Sequence, residues 1–147
     1  MPYADTNSLT FEGGAAWNPS KVFSWTLQGY TGQVEEGSGV ATPGLYVVSP
    51  ARPNRSLIDT VITYHMTSAL TLTLNGDAGQ QTNSNIFNNI VGSAPIGYGT
   101  GTWSGLAGYA NYAMSGQWSA TLRGEYMGDY GGLRTGISQR WAEATAT

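Results

Sequence analysis

Three segments of the chain share one seven-residue pattern, and this repeat limits the possible folds more than any other feature. Each segment reads apolar, hydroxyl, apolar, Thr, Leu, polar, Gly, and successive copies start 47 and then 48 residues apart. The copies run from Phe23 to Gly29, from Leu70 to Gly76 and from Trp118 to Gly124. Six residues before each copy stands an aromatic residue: Trp17, Tyr64 and Tyr112. The chain therefore repeats one structural unit.

Within each copy, apolar and polar residues alternate with a period of two, which is the period of a β-strand. A helix would scatter the same residues around its circumference, so the pattern predicts strands. One face of these strands is apolar: Phe23, Trp25, Leu27, Leu70, Leu72, Leu74, Trp118, Ala120 and Leu122. The other face is polar: Ser24, Thr26, Gln28, Thr71, Thr73, Asn75, Asp77, Ser119, Thr121, Arg123 and Glu125.

A second strand precedes each copy, so the unit is a β-hairpin. We predict strands near 8–17, 22–31, 57–66, 69–79, 102–113, 117–127 and 137–147. Short turns at 18–21, 67–68 and 115–116 alternate with long connections at 32–56 and 80–101 that are rich in Gly, Pro, Asn and Ser. Short turns on one side and long loops on the other are typical of outer-membrane barrels. The sequence predicts an all-β, antiparallel, up-and-down transmembrane β-barrel or partial barrel of about seven or eight strands.

Alternation alone does not decide whether the apolar face meets lipid or a protein core. Aromatic residues recur beside the tight turns, as in the interfacial girdle of a membrane barrel, and Tyr126 extends this set. The opposite face is polar along most of its length, as expected for a water-filled lumen. We therefore expect the apolar residues to face lipid and the polar residues to line a pore. A soluble or surface-exposed β-sandwich, or an adhesin-like binding protein without channel activity, is the alternative.

The composition excludes several classes of function. The formal charge is −3 with no basic block, which argues against nucleic-acid binding. Cysteine is absent and His65 is the single histidine, so neither a thiolate metal site nor Ser-His-Asp catalysis is supported. No run of about 18 apolar residues predicts a membrane-spanning helix. We expect no enzyme activity, no cofactor and no metal site.

Three charged residues of the polar face, Asp77, Arg123 and Glu125, suggest a charged constriction that selects solutes. The alternative is a solvated wall on which these charges are simply paired with their neighbours.

Several stretches resemble the β-barrel porin-2 (OmpL-like) family. The stretches are 58–64 followed by 70–72, then 108–113 followed by 118–126, and 129–136, which is similar to the loop after the corresponding strand in that family. The resemblance extends over residues 9–147 and is most specific over 103–136. It implies an outer-membrane barrel, a porin-like channel that lets small polar solutes diffuse passively, with no cofactor and no catalytic residues.

We expect residues 1–147 to form a single β-barrel domain that is part of a larger barrel. Members of the family are longer, and seven strands is an odd number, whereas bacterial single-chain barrels have an even number from eight upward. Open first and last strands would be able to pair with other copies of the chain. The expected partners are thus the lipid bilayer, small polar solutes and, at the edges, a second copy.

Overall fold

The computed structural model describes residues 9–34, 53–86 and 97–147, and all regular structure in these ranges is β. The strands are β1 (Thr10–Ser20), β2 (Phe23–Gln33), β3 (Asn54–His65), β4 (Leu70–Ile86), β5 (Gly97–Ala113), β6 (Ser119–Tyr130) and β7 (Gln139–Ala146). Among the described residues, none lies in a helix long and apolar enough to cross a bilayer.

The strands form one seven-stranded sheet in chain order, and every neighbouring pair is antiparallel. This is the predicted all-β, up-and-down arrangement of hairpins. The sheet is open, because β1 and β7 each pair with a single neighbour among the described strands. The architecture is that of a partial barrel wall.

The strands extend further from the short turns than the sequence predicts. β4 reaches Ile86 and β5 begins at Gly97, so both enter the predicted loop 80–101, and β3 begins at Asn54 within the predicted loop 32–56. The middle parts of these loops, 35–52 and 87–96, lie outside the described residues. The extra strand residues include Gln80, Gln81 and Thr82 and lack apolar alternation. A strand that carries polar residues on both faces gives no period-two signal in its sequence.

The short turns are placed as predicted, with two local differences. β1 continues through Asn18 and Pro19 to Ser20, with a register shift between Trp17 and Ser20. Trp118, predicted within the strand 117–127, lies instead in the turn before β6. Its carbonyl accepts hydrogen bonds from the backbone N–H groups of Met114 (3.0 Å) and Ser115 (3.2 Å), which closes that turn.

The register places side chains consistently on two faces. One row of paired residues runs Trp25, Ile62, Leu74, Gly108, Gly124 across β2 to β6. The adjacent row runs Thr26, Val61, Asn75, Ala107, Glu125 on the opposite side of the sheet. Because directly paired residues of an antiparallel sheet share a face, each row belongs to one side throughout.

The sheet is curved toward the face that carries Asn75 and Glu125. A cavity of about 360 Å³ on that side is lined by side chains from β2, β3, β4, β5 and β6. On that side Trp103 and Asp129 are buried and Thr73 and Arg123 are half-buried. Leu74 and Leu122 on the other side are exposed, as expected when side chains crowd together on the inside of a curved sheet. We call this side the concave face and the side that carries Leu74 and Leu122 the convex face.

Large apolar side chains lie on the convex face without cover. Leu74 is 45% exposed and Leu122 is 62% exposed, whereas the polar residues beside them in the sequence, such as Thr73 and Arg123, are half-buried. No second sheet packs on the described strands. A soluble β-sandwich buries its apolar face, so the observed exposure is the reverse of what the alternative fold requires.

The aromatic residues beside the turns indicate how the strands are inclined. Trp17 lies in the row of Leu74, Tyr64 pairs with Leu72, and Tyr112 pairs with Leu70. Each hairpin therefore shifts its aromatic residue by two positions along the strand. Two residues rise about 6.6 Å along a strand, and two strand spacings extend about 9.6 Å across the sheet. A line through the aromatic residues therefore makes an angle of about 35° with the rows of paired residues. Strands of outer-membrane barrels are tilted by about 35–45°.

Candidate functional site

All the predicted pore-lining positions share the concave face. The register places on that side the complete predicted set: Ser24, Thr26, Gln28, Thr71, Thr73, Asn75, Asp77, Ser119, Thr121, Arg123 and Glu125. Apolar residues that the prediction left out share this face with them, among them Leu57, Val61 and Met127. The concave face is therefore mainly polar and carries an apolar minority.

Every carboxylate that the structure describes also lies on the concave face. Pairing places each of them there: Glu12, Asp59, Asp77, Glu125, Asp129 and Glu143. Arg55 and Arg123 are on the same side, whereas Arg140 is on the convex face. Acidic side chains outnumber basic ones on the concave strands, so the surface attracts cations more than anions.

Contacts of Arg123 and Thr121 order the concave side of β6. Arg123 forms an ion pair with Glu125 on its own strand, and its guanidinium lies 5.8 Å from the centre of the Tyr109 ring. The Thr121 hydroxyl donates to Asn111 Oδ1 at 2.8 Å on the neighbouring strand. These contacts hold long side chains along the wall.

The predicted charged trio does not come together as one cluster. Arg123 shares a row with Thr73, whereas Asp77 shares a row with Met127, four residues further along the strand. Arg123 and Glu125 pair with each other, and Asp77 has different neighbours. A constriction formed by all three residues therefore stays a hypothesis, whereas the ion pair of Arg123 with Glu125 agrees with the alternative of a wall on which charges are paired with their neighbours.

Asp77 instead lies directly opposite Asp59 on β3. Gln28 Nε2 donates to Asp59 Oδ1 at 3.2 Å, and Asn75 Nδ2 donates to Asp59 Oδ2 at 3.0 Å. Two like charges on paired residues oppose each other. The two amide donors offset part of that repulsion by stabilising the Asp59 carboxylate.

The connection between β6 and β7 is organised by the buried carboxylate of Asp129. Asp129 is 0% exposed. Its oxygens accept hydrogen bonds from the backbone N–H groups of Leu133 (3.0 Å), Arg134 (2.9 Å) and Thr135 (2.9 Å). The Thr135 hydroxyl lies 2.9 Å from the same carboxylate. A buried carboxylate with this many donors needs no cation partner.

Glycines allow the connection to turn tightly. Gly131, Gly132 and Gly136 have φ values of 137°, 70° and 78°, a region that other residues rarely adopt. The Gly136 N–H donates to Gly132 O at 2.8 Å. The residues 131–136 thus form a compact turn rather than an extended loop.

This turn folds onto the concave face. The Leu133 side chain covers Gly101, where an added Cβ would lie 2.4 Å from Leu133 Cδ1. The Arg134 guanidinium lies 5.3 Å from the centre of the Trp103 ring, and Trp103 is only 4% exposed. The turn therefore delivers a positive charge to the middle of the curved sheet.

Arg134 and the two aspartates line one cavity of about 360 Å³. Its other lining residues are Gln28, Tyr30, Leu57, Trp103 and Met127. Asp59 and Arg134 are both close enough to Asp77 to interact with its carboxylate electrostatically. Asp59, Trp103 and Arg134 were not predicted as site residues, and the only local signal of a tight turn there is the Asp129-Tyr130-Gly131-Gly132 stretch.

The convex face carries the predicted apolar set apart from Trp118, and the polar atoms of Trp25 and Thr60 on this face are hydrogen-bonded within the sheet. On this face lie Phe23, Trp25, Leu27, Leu70, Leu72, Leu74, Ala120 and Leu122, together with Trp17, Tyr64, Tyr112 and Tyr126. The indole Nε1 of Trp25 donates to Thr60 Oγ1 at 2.7 Å, and that hydroxyl donates to Thr26 O at 3.1 Å. A surface in contact with hydrocarbon requires such pairing, because lipid offers no hydrogen bonds.

The height of the apolar band on the convex face fits a bilayer. On β4 the band runs from Leu70 to Ala78 and ends at Gln80. Eight residue steps on a strand tilted by about 35° rise roughly 22 Å, close to the band of about 25 Å in outer-membrane barrels. Near the other end, the Arg140 guanidinium lies 5.2 Å from the Tyr130 ring centre on the same face.

The described residues contain no group of three or more acidic or histidine side chains placed to hold a metal ion. His65 Nδ1 lies 2.9 Å from the Thr71 hydroxyl at the turn end of the sheet. This contact joins two neighbouring strands and forms no catalytic triad.

Comparison with known proteins points to one family. Residues 2–147, nearly the whole chain, match the family described as putative beta-barrel porin-2, OmpL-like. No curated protein and no solved structure gives a significant match. The all-β hairpin sheet, its exposed apolar face and its polar concave face agree with that description. The chain belongs to the putative β-barrel porin-2, OmpL-like family.

Proposed function

We propose that this protein forms the wall of an outer-membrane channel through which small polar solutes diffuse passively. The convex face is in contact with the bilayer and the concave face with water. The protein performs no chemical reaction in this proposal. Membership of a porin family supports this role in general terms.

The observation that carries the proposal is the separation of charge and apolar surface between the two faces. All described carboxylates lie on the concave side, while Leu74 and Leu122 are exposed on the convex side. In water, exposing such a band is unfavourable by roughly 25 cal/mol per Å² of apolar surface. Contact with hydrocarbon removes that cost.

Planar-bilayer recording tests the channel. We expect the purified protein, added in detergent, to produce stepwise conductance increases. A protein that inserts into vesicles but passes no current would contradict the channel and leave the fold intact. A protein that stays monodisperse in buffer without detergent would contradict the membrane location as well.

Tryptophan quenching tests which face meets lipid. In single-tryptophan variants that keep either Trp25 or Trp103, we compare fluorescence in vesicles of ordinary and brominated lipids. Trp25 on the convex face should be quenched strongly, whereas Trp103 on the concave face should be quenched weakly. The opposite ranking would show that the faces are assigned the wrong way round.

A further inference from the structure

We propose that the turn 131–136 sets the ion selectivity of the channel by holding Arg134 against the carboxylates of Asp59 and Asp77. The channel then prefers small cations, and Arg134 limits that preference. This inference rests on the proposed channel function and adds the class of solute and the residues that select it.

The cavity lies where the turn 131–136 meets the concave face. It is lined by side chains from five consecutive strands and by Arg134 of the turn. The turn therefore reaches over the wall at a point where the sheet already curves inward. In the proposed channel, solutes that move along this part of the concave face come close to Arg134 and the two aspartates.

The turn 131–136 is held in place by hydrogen bonds and by packing. Three backbone N–H groups of the turn donate to the Asp129 carboxylate, which is fully buried. Leu133 packs on Gly101, where the absence of a side chain leaves room for it. A group held by such contacts keeps its charge at a defined position, which selectivity requires.

The charged side chains that line the cavity do not cancel one another. Asp59 and Asp77 are paired across β3 and β4, and Arg134 is the single cation among the residues that line the cavity. Two carboxylates and one guanidinium leave a net negative charge. An ion in the centre of so small a cavity lies roughly 7 Å from each of the three charged groups. At that distance in 0.15 M salt, one unit charge raises the local concentration of ions of opposite sign about 1.5-fold and lowers that of ions of the same sign about 1.5-fold.

The test is the cation-to-anion permeability ratio, obtained from reversal potentials of the protein in planar bilayers under a KCl gradient. Removing one charge changes this ratio roughly twofold. We expect Arg134→Gln to raise the ratio about twofold. The double variant Asp59→Asn with Asp77→Asn should lower it about fourfold.

Arg140→Gln is the matched control. Arg140 also lies over an aromatic ring, 5.2 Å from the centre of Tyr130, but on the convex face. Arg140→Gln removes one positive charge, as Arg134→Gln does, at a position only six residues away in the sequence. We expect it to leave the permeability ratio unchanged. Equal shifts in Arg134→Gln and Arg140→Gln would overturn the proposal, because they would show a general effect of net charge.

Asp129 is a positioning residue in this proposal, and its role is tested separately. Asp129→Glu keeps the negative charge but moves the carboxylate away from the three N–H groups, so it should displace the turn and change the ratio in the same direction as Arg134→Gln. Adding Asp129→Glu to Arg134→Gln should then have little further effect on the ratio. Independent, additive effects would contradict the positioning role.

The outcomes separate this inference from the proposed function. Conductance with an unchanged ratio in the aspartate and Arg134 variants overturns the inference alone. Absence of conductance in the unaltered protein overturns both. Circular dichroism in vesicles confirms that each variant retains its β-structure, and Arg134→Lys, which keeps the charge, should restore the original ratio.

Discussion

Placing an arginine on each face of β4 tests the membrane orientation most directly. Leu74 and Thr73 are neighbours in the sequence and point to opposite sides of the sheet. We compare Leu74→Arg with Thr73→Arg, which add the same charge and a similar volume. Only the side of the sheet differs between them.

The depth of Leu74 in the bilayer follows from the aromatic residues. Tyr64 pairs with Leu72 and Tyr112 pairs with Leu70, so the height of the turn-side aromatic residues corresponds on β4 to a position between Leu70 and Leu72. Leu74 lies about three residues further along, which is roughly 8 Å toward the midplane on a strand tilted by about 35°. The midplane of a band about 25 Å high is roughly 12 Å from its edge, so an arginine here costs about 2–3 kcal/mol.

The cost at Thr73 is much smaller because its side chain faces the water-filled side. The nearest basic group along its row is Arg123, two strands away beyond Tyr109. Two positive charges separated by about 9.6 Å in water repel each other by about 0.4 kcal/mol. We therefore expect Thr73→Arg to change the free energy of unfolding by no more than about 0.5 kcal/mol.

The assay is urea-induced unfolding of the protein from lipid vesicles, followed by tryptophan fluorescence. Leu74→Arg should lower the folding equilibrium constant roughly 30- to 140-fold, as 1.4 kcal/mol corresponds to a factor of ten. Leu74→Ala, expected to cost about 1 kcal/mol, separates the loss of apolar contact from the cost of the charge. Equal losses in the two arginine variants, or a larger loss in Thr73→Arg, would refute the orientation.

Two further predictions concern contacts of single residues. Thr60→Val should reduce stability by about 1–3 kcal/mol in the same urea assay, because it leaves the Trp25 indole N–H without its acceptor; an unchanged midpoint would show that this bond contributes nothing. Gly101→Ala should displace Leu133, cost about 1–3 kcal/mol and make the turn 131–136 easier to cleave in limited proteolysis. Gly108→Ala, where a Cβ meets nothing within 4 Å, should change stability by less than about 0.5 kcal/mol, and similar losses in both glycine variants would contradict this explanation.

The strands and their two faces were predictable because the repeat fixes the register. A shift of one residue would move Leu72 and Leu74 to the concave side and Thr71 and Thr73 to the convex side. The alternating Thr-Leu pattern therefore fixes which face each residue occupies, and the short turns set the pairing within each hairpin. The signal weakens beyond Ala78, where alternation stops although β4 continues to Ile86.

The cavity was not predictable in the same way. Asp59 and Arg134 are far apart in the sequence, and their proximity depends on how the turn 131–136 folds. That fold depends on the three-dimensional position of the Asp129 carboxylate and on positive φ values at the glycines. Local patterns report strand periodicity, but they do not report which distant side chains a turn brings together.

The uncovered leucines of the convex face also constrain how this protein can reach its folded state. In water, collapse would gather those leucines on the inside and would bend the sheet in the opposite direction. In hydrocarbon the same chain curves toward its carboxylates. If the protein is located in the membrane as proposed, we therefore expect it to reach its folded state only when a bilayer is available.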